Sequence, residues 1–461
     1  MQQSQLLVQR LMPSQSKWIT QKPIRRPIKT KFYTNQKRRS FLEYFNYRDG
    51  DLFVEDLSIA EISQSVGTPF YCYSQSAIEQ AYQQLATAVA DLDISIYYAI
   101  KANSNPAIIK VLADQGAGAD IVSGGELQLA LSAGLDANRI VFAGVGKTRE
   151  EMAFALKQGI LQFNVESVQE IEALNAVAEE LGLVAPIALR INPDVDAKTD
   201  ARITTGKADN KFGIDAKDAL AVAKRSRELK SIRIDGLAVH IGSQLLDMEP
   251  YREAYQRLAS LAKAFLAEGF SLRHLDLGGG VGIAYDLGPA PDLSYFADIV
   301  KESIHPIGLP LMMEPGRSLV GQAGIMVTKV IHTKEATTKS FAIVDAAMND
   351  LIRPALYQAN HKIKPVRESA SQSHNRSYDF VGPVCESTDT FVQDFDFSEL
   401  NADDLVAFYS AGAYGAVMAS EYNGRPLIPE VLVKEDQFSV IRQRPSCDDM
   451  LRLYSLANWQ K

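Results

Sequence analysis

Cysteine is scarce in this chain: 461 residues hold three, Cys72, Cys385 and Cys447, at wide and irregular spacing. That excludes a disulfide framework and a thiolate zinc site, and a reducing, cytoplasmic compartment is expected. The six histidines are scattered with no closely spaced pair, so no metal is expected. No apolar stretch approaches the roughly 20 residues that a membrane span needs. Positive charge is in deficit, with a formal net charge of -8, so the whole-chain field repels phosphate and no nucleic-acid partner is expected. Acidic residues are missing from one place only: residues 1–42 carry ten Lys and Arg and no Asp or Glu. This segment lacks an apolar core followed by a small-residue cleavage site, which argues against a secretory signal. An organelle transit peptide, a disordered extension and an upstream start codon all remain open.

What is present is an ordinary globular composition, 46% hydrophobic and 23% charged, long enough for two or three domains. After a short β-like opening at 52–54 and 68–73, strand patterns recur at 95–101, 118–123, 140–144, 161–166, 186–192, 235–242, 274–279 and 309–315. Helical periodicity fills the intervals, as in 149–158, 168–182 and 250–268. Eight strands alternating with helices predict a (β/α)8 TIM-like barrel. An open doubly wound sheet would need a Gly-rich turn after its first strand, where Lys101-Ala102-Asn103 stands instead. Beyond Ser318 the rhythm becomes period-two, at 326–333, 340–345, 378–384, 405–410, 430–433 and 437–441, which predicts an all-β second domain. The Ser-rich stretch 366–377 reads as an exposed loop. The expected division is a basic extension over 1–45, a barrel over 72–318, and a β-domain built from 46–71 and 319–461.

Polar residues fall at the predicted strand ends: Lys101, Asp120, Ser123, Glu166, Arg190, Asn192, His240, Ser243, Gly278 to Gly280, Glu314 and Arg317. In a barrel those ends share the face where active sites form. Each residue alone has a bland reading. A strand-end lysine is usually solvated, a triple glycine is usually a tight turn, and a Glu three residues from an Arg is often its ion-pair partner. Together they point to one chemistry. Gly279 and Gly280 after the seventh strand, and Pro315, Gly316 and Arg317 after the eighth, suit a phosphate. A carboxylate beside a phosphate site needs another part of the ligand to face, and Glu314 would face a pyridinium nitrogen. Lys101 supplies the amine for a Schiff base, with Asp120 as its candidate partner. Pyridoxal 5'-phosphate is therefore the expected cofactor, with His240 against its ring and Ser243 reaching its phosphate.

Four ordered segments, Tyr-Ala-Ile-Lys-Ala-Asn (98–103), His-Ile-Gly-Ser-Gln (240–244), Asp-Leu-Gly-Gly-Gly (276–280) and Glu-Pro-Gly-Arg (314–317), resemble the fold-type III pyridoxal-phosphate decarboxylases. That resemblance runs from about Tyr47 to the C-terminus and implies an alanine-racemase-like barrel paired with a β-domain. Within the superfamily, residues 348–357, 382–389 and 412–415 are similar to the diaminopimelate decarboxylases, which form lysine in bacteria and plants. The likeness implies that Arg317, Arg353 and Tyr357 bind the distal amino-acid end of meso-diaminopimelate, that Glu386 takes its ammonium, and that Tyr414 lies near cofactor and substrate. It also implies that Cys385 is the general acid and comes from the partner subunit of a homodimer. Independent chemistry agrees on two points. A substrate with a second carboxylate calls for an Arg fork, and a thiol is mostly protonated at neutral pH and can donate to a carbanion. Ornithine, arginine or carboxynorspermidine decarboxylases of the same fold, a catalytically inert cofactor-binding regulator, and a racemase are the competing readings.

Overall fold

The computed structural model describes residues 44–196, 211–285, 290–368 and 375–460. Most of the basic extension (1–43) lies outside them. Eight parallel strands close into a barrel: Ile94–Ala99, Gly118–Ile121, Ile140–Phe142, Gln162–Val165, Ala185–Asn192, Ile232–Val239, His274–Asp276 and Leu311–Met313. The ring is completed by the eighth strand returning to the first, with Leu311 opposite Ile94 and Met313 opposite Ile96. These strands are short apolar runs because helices cover one side and barrel contents the other, so both faces are buried.

The fifth strand ends at Asn192 as expected, and the other seven end earlier than their hydrophobic pattern suggests, since the polar residues that follow turn inward as loops. Lys101 is one of these. It sits on a tight helical turn, Ile100–Ala102, just past the first strand rather than as its last residue. The eighth strand is followed by only a four-residue helix, Arg317–Val320, too short to cover the barrel. Helix Gln75–Ala88 takes that place, packing against Arg317–Val320 and against the helices Pro106–Gln115 and Leu293–Ser303.

That helix is reached from strand Phe70–Ser74, which belongs to the second sheet. It pairs antiparallel with Gly324–Glu335 and parallel with Glu430–Lys434. Ser74 ends the strand and caps the helix, its Oγ accepting the Ala77 N–H at 3.0 Å. Among the described residues this sheet has nine strands, and a separate three-stranded sheet is formed by Phe45–Arg48, Asp51–Val54 and Leu57–Ser58. Two strands of the nine-stranded sheet have no counterpart in the sequence reading. Ile363–Pro365 is only three residues long, and Thr390–Ser398 carries Asp394 and Asp396 inside it. The second forms because Phe391, Phe395 and Phe397 alternate with polar residues, and two of them pack edge-on against Phe380 of strand Asn375–Val381. That pairing also draws residues 375–377 out of the expected loop. Residues 369–374 of that loop lie outside the described residues.

Barrel and β-domain meet at the turn that carries Lys101. Asn103 donates from Nδ2 to the Gly412 carbonyl at 3.2 Å, and the Tyr414 N–H donates to the Ala102 carbonyl at 2.8 Å. Asn105 caps helix Pro106–Gln115 and also donates to Glu430 Oε1 at 3.1 Å. Glu430, buried on its strand, accepts the Tyr73 hydroxyl at 2.5 Å as well. The Lys101 turn is thus clamped from both sides.

Candidate active site

A cavity of about 670 Å³ opens over the C-terminal end of the barrel, lined by Lys101, His240, Ser243, Gly280, Glu314, Gly316, Arg317, Arg353, Tyr357 and Tyr414, among others. Ten positions expected from sequence therefore converge. A second cavity of about 210 Å³ shares Lys101, His240 and Glu314 with the first.

Lys101 presents its amine to this space with 36% of its side chain exposed, and Nζ lies 2.7 Å from Asp120 Oδ2. Asp120 is fully buried, and its Oδ1 has no partner among the described residues. Burial alone would lower the Lys101 ammonium; the negative charges of Asp120 and Glu314 outweigh it and hold the group above its ordinary value. Burial, then the positive charges of Arg190 and Lys101, keeps His240 neutral. Its Nδ1 accepts the Gly279 N–H at 3.2 Å.

The triple glycine is required by backbone packing. A Cβ on Gly279 would lie 2.0 Å from the Glu314 carbonyl oxygen, and one on Gly280, at φ +106°, would lie 2.3 Å from that of Gly242. Gly280 and Gly316 face the cavity, whereas Gly279 and Pro315 shape its wall from behind. Pro315 also passes the eighth strand on to the first through the Ala99 N–H, at 3.0 Å.

Opposite the acids stand two arginines. Arg317 and Arg353 are buried, neither has a carboxylate partner among the described residues, and the Nε of each is unpaired. Both donate to one phenol oxygen, that of Tyr285: Arg353 Nη2 at 3.0 Å, and Arg317 Nη1. Arg317 Nη2 reaches Ser243 Oγ at 3.3 Å, and its guanidinium carbon lies 4.6 Å from the Tyr414 ring centre. Tyr414 holds φ at +56°, a left-handed backbone that a bulky residue adopts at a cost of about 1 kcal/mol or more. Cys385 and Glu386 are not brought to this cavity within the chain. They lie exposed on the 382–390 loop, where hydrogen bonds from Thr388 and Tyr422 hold Glu386 below the usual carboxylate range.

Other strand-end residues serve the scaffold: Ser123 caps helix Gly124–Ser132, Glu166 pairs with Arg190 at 2.8 Å, and Asn192 accepts the Asp194 N–H. Among the described residues no group of three His, Cys, Asp or Glu could hold a metal, and no helix is long and apolar enough to cross a membrane.

Residues 75–321 match the family described as pyridoxal-dependent decarboxylase, pyridoxal binding domain. The diaminopimelate decarboxylase of Zymomonas mobilis is 46% identical over 420 residues, covering 90% of this chain and 99% of its own. That of Aquifex aeolicus is 45% identical, covering 89% and 97%. The chain belongs to the diaminopimelate decarboxylase family. Solved structures of this family agree. The Helicobacter pylori diaminopimelate decarboxylase complexed with L-lysine superimposes with TM-score 0.82 at 42% identity, over 86% of this chain and 98% of its own. The M. jannaschii enzyme in co-complex with L-lysine gives 0.85 at 34%, over 90% and 99%.

Three site residues escape the sequence reading of this family member. Tyr285 lies five residues beyond Gly280, where a lone aromatic carries no signal. Asp276 and Asn164 sit inside barrel strands, and there a signal existed: a carboxyl or amide within a run buried on both faces is costly unless partnered.

Behind Tyr285 stands His361, ring centres 5.4 Å apart, buried and donating from Nδ1–H to the Tyr409 carbonyl, 2.9 Å away. Burial, outweighing that hydrogen bond, pushes its pKa down to about 4. Its neutral form is thus built into the folded state, while the unfolded chain takes up a proton near the ordinary value of about 6.5. Stability from this group is complete above that value and is lost as pH falls toward 4, roughly 2 kcal/mol by pH 5. His361→Gln should therefore lose less unfolding midpoint between pH 7 and pH 5 than the wild type does. Equal losses in thermal-denaturation scans would contradict the assignment.

Proposed function

We propose that this chain removes one carboxylate of meso-2,6-diaminopimelate as carbon dioxide and leaves L-lysine, using pyridoxal 5'-phosphate attached at Lys101. The observation that carries the substrate assignment is the pair of buried guanidiniums, Arg317 and Arg353, with no carboxylate partner among the described residues, on the wall of the cavity that Lys101 enters. Uncompensated buried cations need an anion from the ligand, and planar forks suit a carboxylate.

The cofactor is supported by the residues themselves. Two carboxyls, Asp120 and Glu314, act on one ammonium, with Asp276 behind Glu314, which favours a cationic ring. Asp120 Oδ1 is unpartnered, and the glycine positions bring backbone close to where a phosphate would lie. Pyridoxal phosphate, when bound, supplies an aldehyde that captures the substrate amine and a cationic ring that accepts the electron pair left by the departing carboxylate. Glu314 would hold the ring nitrogen, and neutral His240 would pack against the ring. Ser243, Gly280, Gly316 and Arg317 supply donors to the phosphate, with Gly279 and Pro315 holding them in place.

Arg317, Arg353 and Tyr357 hold the distal carboxylate, and Tyr414, already against Arg317, closes the space between cofactor and substrate. Asp120 orients the Lys101 amine and keeps a negative charge beside it. Glu386 takes the distal ammonium and Cys385 returns a proton to the carbon that lost its carboxylate, both contributed by a second copy of the chain. Their exposure on a loop that contributes nothing to the lining of their own chain's cavity supports that placement. The β-domain would thus complete the site across a homodimer interface.

Carbon dioxide release from meso-diaminopimelate, with pyridoxal phosphate added, should exceed that from ornithine, arginine or carboxynorspermidine by about 10³-fold or more in kcat/KM, because those substrates leave the arginines unpaired. Comparable turnover of ornithine would replace the reading with a diamine-forming one, and no release from any of them would favour an inert binding protein. Sharing of sites is tested by mixing. Lys101→Ala and Cys385→Ala subunits, each inactive or nearly so, should together recover up to about a quarter of wild-type activity, since each mixed dimer holds one intact site. No recovery after confirmed subunit exchange would place Cys385 in its own chain's site.

A further inference from the structure

Beneath the cavity, inside the barrel, two carboxyls share one amide. Asn164 of the fourth strand donates from Nδ2 to Asp276 Oδ2 at 3.0 Å and to Glu314 Oε1 at 3.1 Å. All three side chains belong to buried residues. The orientation of that amide is fixed from the other side. Gln162 Nε2 donates to Asn164 Oδ1 at 2.7 Å, which leaves the Nδ2 edge to the acids, and Gln162 Oε1 meets His274 Nε2. Asp276 also accepts the Gly278 N–H at 2.9 Å, and the Gly278 carbonyl accepts the Glu314 N–H at 2.7 Å, which ties the two acids to one backbone turn.

Because one amide nitrogen holds an oxygen of each acid within hydrogen-bond distance, Asp276 and Glu314 lie side by side in the barrel floor, and two buried carboxyls held this close are accommodated by one proton between them. Burial, then the charges of Asp120 and Asp276, raises Glu314 well above the usual carboxylate range, and burial raises Asp276 as well. One proton and one negative charge therefore belong to the pair.

We propose that the anion facing the cofactor's ring nitrogen is the Asp276–Glu314 pair holding a single proton between them, with Asn164 and Asp276 as positioning residues that aim Glu314. When a cationic ring arrives, the shared proton shifts within the hydrogen bond toward Asp276: the Glu314 O–H bond breaks, an Asp276 O–H bond forms, and Glu314 becomes the carboxylate that meets the ring. No proton enters from solvent. This rests on the reading that the pyridoxal ring sits above Glu314, and it adds that reading's missing donor, because a lone buried carboxylate would be held by Asn164 alone.

The experiment uses the full chain and a pyridoxal phosphate analogue without the aldehyde, so that binding reports the ring and phosphate without attachment to Lys101. Affinity and the absorbance of the ring-protonated form are measured for wild type, Asp276→Asn and Asp276→Ala. Asn keeps a donor toward Glu314 and the same charge, so it should bind within about threefold of wild type with the protonated-ring band intact. Ala removes the donor and should weaken binding by about tenfold or more and diminish that band. Should the Ala variant fail to fold, Asn164→Leu takes its place and should show the same loss while Asp276→Asn does not. If Asn and Ala (or Asn164→Leu) behave alike, whether both as wild type or both impaired, Asp276 does not act by donating and the proposal is overturned. If wild type itself does not bind the analogue, the cofactor reading fails and takes this inference with it.

Discussion

The Lys101–Asp120 contact is the constraint around which the rest is arranged. A 2.7 Å pair in which the carboxylate is wholly buried contributes little net stability, since desolvation offsets most of its attraction. Its surroundings make it costlier still, because Asp276 and Glu314 add a further negative charge to the same floor. A barrel interior of Leu and Ile would be cheaper. Such an arrangement persists when the excess charge has a ligand to meet, and the joint between barrel and β-domain is built to hold the amine against it. Asn103, Asn105 and the Tyr414 backbone fix the turn, and buried Glu430 ties that turn to the second sheet.

The other end of the cavity has the opposite sign. Arg317 and Arg353 come from different parts of the fold, one from the short helix after the eighth strand and one from helix Arg353–Tyr357 of the β-domain. Like charges this close would separate if Tyr285 did not accept from both and if Tyr414 and Tyr357 did not offer ring faces to them. An acidic floor and a basic wall in one cavity suit a zwitterionic ligand. Under the proposed function the basic wall would take the retained carboxylate and the acidic floor would hold the cationic ring.

The barrel was legible because strand and helix periods alternate eight times, and the gathering of Lys101, His240, Ser243, Gly280, Glu314, Gly316 and Arg317 followed from strand-end position alone. Arg353, Tyr357 and Tyr414 were not legible in that way, since their placement depends on how the second sheet docks. They were named through family likeness. All strand ends but the fifth were overextended because the polar residues that follow continue the alternation while turning into the cavity. Helix Gln75–Ala88 covers the eighth position by long-range packing that no local pattern encodes. Asp276 and Asn164 were visible as polar residues in buried strands, but their meaning lies in partners 38 and 150 residues away along the chain, Glu314 in both cases. Tyr285 had no local signal at all.

In the proposed function the basic wall receives the amino-acid end that is not decarboxylated. A crystal structure of this chain with pyridoxal phosphate and L-lysine tests it most directly. The account predicts the lysine carboxylate against Arg317 and Arg353 and its side-chain amine directed toward Lys101. A lysine bound the other way round, with its carboxylate beside Lys101 and the arginines facing solvent or a side-chain amine, would contradict it.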